Sequence, residues 1–307
     1  MKKDLRIIYM GTPEFAVPSL TSLVKNGWNV VAVITAPDKP KGRGQKMVPS
    51  AVKDAALSHN IPVLQPTNLK SPEFLEELKS FHADLQIVVA FRMLPVVVWD
   101  MPPLGTFNLH ASLLPDYRGA APINWAIING EKETGVTTFF LKHEIDTGSI
   151  IFQEKVPILP EENLGDVYLK LMNLGSQLVV KTVEAIAENN VNPKVQDESK
   201  AKHHAPKIFK ETCEINWGNA AIDIHNLVRG LSPFPAAFTS IQGQNCKIYK
   251  TSIEPGNLPG SMVGEYKTDG KNHLKFQTGN GILCIEELQL AGKKRMGIQD
   301  FLRGNSI

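Results

Sequence analysis

The stretch of the sequence that could carry chemistry runs from Asn108 to Gly148. It holds an amide and an imidazole two residues apart, Asn108 and His110, and a carboxylate further along the chain, Asp146. In an extended strand, residues at i and i+2 lie on the same face, so the amide and the imidazole would point the same way. An amide donor, a histidine and a carboxylate are the parts of a general acid–base site that stabilises an oxyanion. Such a site suits acyl-type transfer with neither a metal nor a covalent nucleophile.

Two predicted strands, separated by an irregular loop, position these residues. Gly105–His110 is predicted to be the strand that delivers the amide and the imidazole, and Gly135–Leu141 is predicted to be the strand that leads to the carboxylate. Between them, Pro115, Gly119 and Pro122 force a loop rather than a helix. Three polar residues of this kind also occur together in purely structural roles. The pattern alone therefore leaves both a catalytic site and a set of structural contacts open.

A resemblance to a known family favours the catalytic interpretation. The order of the motifs in this chain resembles the signature of the folate-dependent formyltransferases. The matching motifs are Asn108-x-His110-x-Ser112-Leu-Leu-Pro115, Tyr117-Arg-Gly119 and Asp146-Thr-Gly148. The resemblance implies that an enzyme of this kind transfers a formyl group from 10-formyltetrahydrofolate to the α-amino group of methionine on initiator tRNA, for translation initiation. It also implies that Asn108, His110 and Asp146 are the catalytic residues.

The same resemblance implies a folate site beside the catalytic residues. Its loop would be formed by Ser112, Leu113, Leu114 and Pro115. A second segment follows the predicted strand Asp84–Ala90, at the carboxyl end of a sheet where open α/β folds bind ligands. There the backbone could hydrogen-bond a flat pterin, with Phe91, Met93 and Leu94 lining the pocket. Met93 could equally be a core residue, and Arg118 could be either a functional group or a structural salt-bridge partner.

The composition is that of an ordinary globular protein of two domains. Hydrophobic residues make up 42% and charged residues 21% of the 307-residue chain. The three cysteines are far apart, odd in number and without metal-site spacing, which fits a reducing, cytoplasmic environment. No apolar run approaches the length of a membrane span, and the first residues have no signal-peptide pattern. We expect a cytoplasmic enzyme with no membrane partner, acting as a monomer.

An α/β fold is predicted for the amino-terminal part. Leu5–Met10 and Asn29–Thr35 are apolar runs typical of buried strands. We expect the helix between them to begin at Pro13 with Thr12 as its cap. Strand, helix and strand in this order form a right-handed βαβ unit, which predicts a Rossmann-like, mostly parallel sheet. The first turn has a single glycine instead of G-x-G-x-x-G, so we do not expect NAD as a cofactor.

A basic insertion, Ala36–Pro49, breaks this alternation of strands and helices. It is too long for a simple connection and has no apolar periodicity. A run of basic residues with flanking glycines is often only a solvated loop. However, the insertion resembles one that the tRNA-acting members of the family carry and their sugar- and ribonucleotide-modifying relatives lack. The resemblance and the charge together predict contact with tRNA. The predicted tRNA-binding residues are Lys39, Lys41, Arg43 and Lys46.

A second domain is predicted at the carboxyl end. We expect a catalytic domain over residues 1–189, a linker over 190–207 and an OB-like β-barrel over 208–307. The barrel is implied by the resemblance and by short strand patterns separated by glycine turns, with a first strand expected near Cys213–Trp217. Residues 200–307 carry 14 lysines and arginines against 9 aspartates and glutamates. This excess permits contact with a polyanion, and solvated surface charge explains it equally well.

Two other functions compete with formyl transfer to tRNA. A formyltransferase acting on a nucleotide sugar would share the amide, the imidazole and the carboxylate, but it should lack the basic insertion. An RNA-binding protein without activity would keep the barrel but would have no reason to keep Asn108, His110 and Asp146 together. The insertion and the intact polar set therefore favour the tRNA-acting enzyme.

Overall fold

The computed structural model describes residues 4–42, 44–305 and 307. The chain divides into two compact units. Unit 1 comprises Met1–Gly119, Gly135–Val156 and Tyr168–His204, and unit 2 comprises Ala120–Thr134, Pro157–Val167 and Ala205–Ile307. Among the described residues, no helix is long and apolar enough to cross a membrane.

The elements follow in chain order. The strands are β1 (Arg6–Gly11), β2 (Asn29–Ile34), β3 (Lys39–Lys41), β4 (Lys46–Val48), β5 (Val63–Leu64), β6 (Leu85–Val89), β7 (Thr106–His110), β8 (Arg118–Gly119), β9 (Glu133–Phe140), β10 (Ile150–Pro157), β11 (His204–Ala205), β12 (Ala237–Ile241), β13 (Gln244–Glu254), β14 (Tyr266–Thr268), β15 (Leu274–Gln277), β16 (Ile282–Leu290) and β17 (Met296–Gly297). The helices are α1 (Val17–Lys25), α2 (Ala51–Ser58), α3 (Pro72–Ser80), α4 (Val96–Trp99), α5 (Pro122–Ile128), α6 (Leu164–Ala187), α7 (Ala221–Leu231) and α8 (Ile298–Gly304).

A seven-stranded sheet forms the centre of unit 1, in the order β10-β9-β7-β6-β1-β2-β5. The strands from β7 to β5 are parallel to their neighbours, and β9 is antiparallel to β7. Every residue of β6 is buried, as expected for a central parallel strand covered on both faces. The Rossmann-like, mostly parallel sheet predicted from the sequence is confirmed.

Serine side chains cap two helices of unit 1, and Ser71 Oγ accepts from the Phe74 N–H at the start of α3. Ser50 Oγ accepts from the Lys53 N–H and caps α2. The prediction that the first helix begins at Pro13 with Thr12 as its cap is wrong, because Glu14–Ala16 forms a separate 3₁₀ turn and α1 begins at Val17. Pro18 explains this start, since a proline is tolerated in the first turn of a helix but breaks a hydrogen bond further inside.

The basic insertion folds into a β-hairpin. Strands β3 and β4 pair antiparallel, with Lys39 opposite Val48 and Lys41 opposite Lys46. The turn between them places Gly42 in a left-handed conformation, with φ of 75°. No strand was predicted in this insertion, because each strand has only three residues and the segment has no apolar periodicity. The prediction was wrong in that respect.

An antiparallel sheet forms the centre of unit 2, in the order β12-β13-β16-β15-β14, with β17 paired to β16. The register between β13 and β16 shifts twice near Lys250, and such bulges bend a long strand. Helices α7 and α8 bury Ile224, Val228 and Phe301 in the core beneath this sheet. A small, curled antiparallel domain of the predicted kind is therefore confirmed.

The first strand predicted for unit 2, Cys213–Trp217, is absent. Glu211–Cys213 forms a 3₁₀ turn, and only Glu214 makes a single bridge, to Phe238. The side chain of Asn216 accepts from the Gly218 N–H at 3.0 Å, and such a local bond competes with strand pairing.

The three cysteines of unit 2 are buried and free. Burial raises the pKa of the Cys246 and Cys284 thiols to about 11. Both thiols are therefore protonated near neutral pH and are poor nucleophiles.

Candidate active site

Strand β7 carries the amide and the imidazole of the candidate site. It lies between β6 and β9, with Asn108 opposite Val88 on one side and Phe139 on the other. Asn108 is partly exposed and His110 is buried, and their i, i+2 spacing puts both on one face of the strand. Among the described residues, no hydrogen bond engages the Asn108 side chain. Its amide is therefore available to a ligand.

The two nitrogens of His110 have different environments. Nε2 lies 2.9 Å from the backbone carbonyl oxygen of Tyr117, and a carbonyl can only accept a hydrogen bond, so Nε2 carries the proton. Nδ1 lies 3.9 Å from Oδ2 of Asp146, which is too far for a direct hydrogen bond. The neutral ring therefore presents an unprotonated Nδ1 toward a carboxylate. This arrangement fixes the tautomer of His110.

The carbonyl that holds His110 is itself fixed by a neighbouring segment. Tyr117 has φ of 58°, and its N–H donates to the carbonyl of His203 at 2.9 Å. The Tyr117 and His203 rings stack, with centroids 5.0 Å apart. The Asp116 carboxylate accepts from the backbone N–H groups of Lys202 and His203. This network orients the tyrosine carbonyl and, through it, the imidazole.

Asp146 is held in an unusual backbone conformation. Its φ is 57°, a left-handed value that a residue with a side chain adopts rarely. Its Oδ2 accepts from the Gly119 N–H at 3.1 Å, and the side chain is 13% exposed. Two residues later, a Cβ on Gly148 would lie only 1.5 Å from the carbonyl oxygen of Phe140. Only glycine fits there, which explains the last residue of the Asp146-Thr-Gly148 motif.

Gln196 belongs to the site although the sequence assigned it to a polar linker. It is 6% exposed. Its Nε2 donates to the carbonyl oxygens of Asp146 at 2.7 Å and of Gly148 at 2.8 Å. Its Oε1 accepts from Nε and an Nη of Arg118. A buried glutamine in a polar stretch carries no periodic signal, so sequence reasoning missed it.

Arg118 is paired with an acid as well as with this amide. Its guanidinium donates two hydrogen bonds to the Glu198 carboxylate, which raises the pKa of Arg118 and lowers that of Glu198. Of the two interpretations left open for Arg118, the structural salt bridge is therefore present.

The predicted folate loop lies directly after β7. The Ser112, Leu114 and Pro115 side chains are buried, while Leu113 is partly exposed. Ser112 Oγ donates to the Asp116 carbonyl, and the Thr137 hydroxyl donates to the Ser112 carbonyl. These two bonds hold the loop backbone, and Leu113 is the one of its four side chains that is partly exposed. Its role toward folate stays a prediction.

The second predicted folate segment follows β6, the strand next to β7 in the sheet. Met93 is 74% exposed, whereas Leu94 is buried in the core and Phe91 packs against the same core. Met93 is therefore not a core residue, which decides the question the sequence left open. The segment lies after the carboxyl end of its strand, where a ligand of this fold would bind.

Of the predicted tRNA-binding residues, Lys39 and Lys41 lie in β3 and Lys46 lies in β4. Lys39 and Lys46 are exposed. Lys41 lies in β3, and its side chain falls outside the described part of the structure, as does Arg43. The base of the hairpin is anchored by Asp38, whose carboxylate contacts Lys53 at 2.7 Å and the Gln65 amide. These bonds lower the pKa of Asp38.

The chain matches known protein families and known proteins along most of its length. A profile of the formyl transferase family matches residues 5–183, and a profile of the formyl transferase C-terminal domain matches residues 207–306. The chain is 54% identical over 314 residues to methionyl-tRNA formyltransferase of Bacteroides fragilis, covering 99% of this chain and 96% of that protein. It is 47% identical over 317 residues to the protein of the same name from Porphyromonas gingivalis, covering 100% and 97%.

Solved structures share the fold. The N-formyltransferase of Helicobacter canadensis, in complex with folinic acid and dTDP-3-aminofucose, superposes with a TM-score of 0.68 at 23% identity, covering 94% of this chain and 99% of that chain. Glycinamide ribonucleotide transformylase 1 of Symbiobacterium toebii superposes with a TM-score of 0.52 at 19% identity, covering 63% and 94%. At these identities the likeness concerns the fold alone.

Proposed function

We propose that this chain, which belongs to the formyl transferase family, transfers a formyl group from 10-formyltetrahydrofolate to the α-amino group of methionine on initiator tRNA. The observation that carries the proposal is the set of Asn108, His110 and Asp146, brought together on and beside β7. The relatives at 47–55% identity, named methionyl-tRNA formyltransferase, support the choice of acceptor.

The reaction begins when the neutral amine attacks the formyl carbon of the donor. The new C–N bond forms as the carbonyl electron pair moves to oxygen, which gives a tetrahedral species with an oxyanion and an ammonium. The Asn108 amide donates a hydrogen bond to that oxygen. One such donor contributes about 2.7–4 kcal/mol to transition-state stabilisation. The tetrahedral species then collapses, the bond to the folate nitrogen breaks, and that nitrogen takes up a proton while the amine loses one.

His110 can assist the oxyanion only in its charged form. Its Nε2 proton is committed to the Tyr117 carbonyl, so a second donor must come from Nδ1. A proton on Nδ1 makes the ring an imidazolium, and the Asp146 carboxylate 3.9 Å away stabilises that cation. When Nδ1 is unprotonated, both it and the Asp146 carboxylate can accept a hydrogen bond from one donor group. A substrate ammonium or a water bound between them would satisfy both, which gives the amine a route to lose its proton.

The donor site is proposed on the segments after β6 and β7. We assign Ser112, Leu113, Leu114 and Pro115 to one side of this proposed site and Phe91, Met93 and Leu94 to another. Of these, Met93 is exposed and Leu113 is partly exposed. The carbonyls and amides of the segment after β6 would hydrogen-bond a pterin edge. This chain supplies donors and a carboxylate for every step described here, and we therefore propose a mechanism without a metal.

The acceptor is proposed to reach the site along the basic hairpin. The proposed contacts are Lys39, Lys41, Arg43 and Lys46. Lys39 and Lys41 lie in β3 and Lys46 lies in β4, and the Lys39 and Lys46 side chains are exposed. Phosphate groups are the natural partners of such residues. Nucleotide-sugar acceptors have far fewer phosphates to occupy the hairpin, which disfavours that alternative. Charged initiator tRNA belongs to cytoplasmic translation, and we propose that the chain acts there, as a monomer.

The test is direct. The purified protein is given methionyl initiator tRNA and 10-formyltetrahydrofolate, and the product is examined by mass for formylmethionine. A matched reaction with an amino-sugar nucleotide serves as the control. Formylmethionine on the tRNA with no formylated sugar is the expected result. Formylation of the sugar alone would replace this function with the nucleotide-sugar reaction.

A further inference from the structure

We propose that Gln196 is a positioning residue, which holds the Asp146 segment in the conformation that aims its carboxylate at His110. The inference rests on the proposed function, because it takes Asp146 as the acid partner of the histidine. Gln196 lies between the two regions that match the family, residues 5–183 and 207–306.

The hydrogen bonds of Gln196 leave no freedom in the orientation of its amide. Its two N–H groups are used by the carbonyls of Asp146 and Gly148, and its oxygen is used by two N–H groups of Arg118. A flipped amide would set its oxygen against two carbonyls and its NH₂ against a guanidinium. Only one assignment is consistent with the partners.

Gln196 completes a closed ring of bonds around Asp146. The Arg118 side chain holds the glutamine, and the glutamine holds the backbone on both sides of Thr147. The residue after Arg118 is Gly119, whose N–H donates to the Asp146 carboxylate at 3.1 Å. The neighbouring residues Arg118 and Gly119 therefore hold Asp146 in two ways. The Gly119 N–H holds the Asp146 carboxylate directly, and the Arg118 side chain holds the Asp146 backbone through Gln196.

The ring is needed because the conformation it holds is an unfavourable one. A left-handed φ of 57° on an aspartate persists only where the surroundings enforce it. Without the two bonds to its carbonyls, the Asp146–Gly148 segment is free to relax toward an ordinary conformation. The carboxylate then leaves its position 3.9 Å from Nδ1 of His110. A displacement of about 1 Å can cost about a hundredfold in rate.

The experiment is a double-mutant cycle on turnover. Gln196→Leu keeps the volume but removes all four bonds, and Asp146→Asn removes the charge that Gln196 is proposed to position. We expect Gln196→Leu to lower kcat by about ten- to a hundredfold, with the KM for the folate donor changed less than twofold. In the Asp146→Asn background, the same change should lower kcat by less than about threefold, because the carboxylate it positions is gone.

A control separates positioning from general stability. Thr182→Val removes the buried hydrogen bond between Thr182 and Thr138 in the same unit. It should lower the melting temperature and leave kcat per folded molecule unchanged. Where Gln196→Leu does not fold, Gln196→Asn carries the cycle, since it keeps the amide on a side chain one methylene shorter.

The outcomes distinguish the two proposals. Unchanged kcat in folded Gln196→Leu, or a full additional loss in the Asp146→Asn background, overturns the positioning role and leaves the proposed function standing. Full activity of Asp146→Asn alone removes Asp146 from the mechanism and overturns the positioning role with it. A large loss in the single variant that nearly disappears in the double variant supports the inference.

Discussion

The candidate active site and the basic hairpin β3–β4 hold their polar residues in opposite ways. In the site, His110 and Gln196 are buried and the Asp146 side chain is 13% exposed, and each side chain is hydrogen-bonded to the backbone of another segment. Among the described residues of the hairpin, Lys39 and Lys46 are exposed, and Asp38 anchors the base through Lys53 and Gln65. Proton transfer and oxyanion stabilisation require a geometry fixed to fractions of an ångström. Contact with a polyanion requires charge, and a pliable segment can adapt to it.

The largest effect is expected at the centre of the rigid region. His110→Ala should reduce turnover by at least about a hundredfold, since it removes the ring proposed to assist the oxyanion when charged and to accept the amine proton when neutral. The fold and the binding of the folate donor should survive. Single-turnover formyl transfer, with circular dichroism and donor titration as controls, measures this. Near-normal turnover in a folded variant would show that the rigid geometry around His110 serves the fold and not the reaction.

The next effect separates charge from shape in the same region. Asp146→Asn keeps the acceptor for the Gly119 N–H but removes the charge beside His110. We expect a large fall in kcat, of about a hundredfold, with little change in the affinity for either substrate. Steady-state kinetics with each substrate varied in turn decide this. If affinity falls while kcat stays, Asp146 is a binding residue.

More of the candidate active site than of the hairpin could be predicted from the sequence. The strand that presents Asn108 and His110 was predictable, because alternation with period two and a buried apolar run are local signals. Asn163 caps α6 by accepting from the Gly165 and Asp166 N–H groups, and an asparagine just before an apolar helical run is also a local signal. The hairpin strands β3 and β4 were not predictable, since three residues are too few to show an apolar alternation.

The partners of the site residues were beyond sequence reasoning. His110 is held by the carbonyl of Tyr117, and any residue type can supply a carbonyl. Gln196 lies 50 residues from Asp146 in the sequence. Such contacts depend on the tertiary fold and have no spacing rule. The motif Asp146-Thr-Gly148 pointed to the right segment, but the close approach that requires its glycine is visible only in the structure.

A smaller effect, confined to one substrate, is expected in the hairpin. A Lys41→Ala, Arg43→Ala double variant should lose formyl transfer to tRNA at low tRNA concentration while binding the folate donor normally. If both side chains contact phosphates, the logarithmic dependence of tRNA affinity on salt should flatten by roughly 0.7–0.9 for each lost contact. Lys25→Ala, at the end of α1, is the matched control for loss of a surface charge elsewhere in unit 1. If tRNA affinity, its dependence on salt and the rate of formyl transfer were all unchanged, the hairpin would have no role in tRNA binding.

The smallest expected change is in the free energy of unfolding of a Gly44 variant, which we compare with a Gly148 variant in the site. In the hairpin, a Cβ on Gly44 would meet no described atom within 4 Å, and its φ lies outside the left-handed range. Gly44→Ala should therefore leave the free energy of unfolding unchanged or raise it by about 0.4–1 kcal/mol, since alanine restricts the unfolded chain. In the site, Gly148→Ala should lower it by about 3 kcal/mol, because the Cβ would overlap the Phe140 carbonyl and the backbone must move. Urea unfolding of both variants, with formyl transfer measured alongside, tests the contrast. A Gly44→Ala variant as unstable as Gly148→Ala would mean that the hairpin turn is packed as tightly as the site, and the comparison between a fixed and an adaptable region would fail.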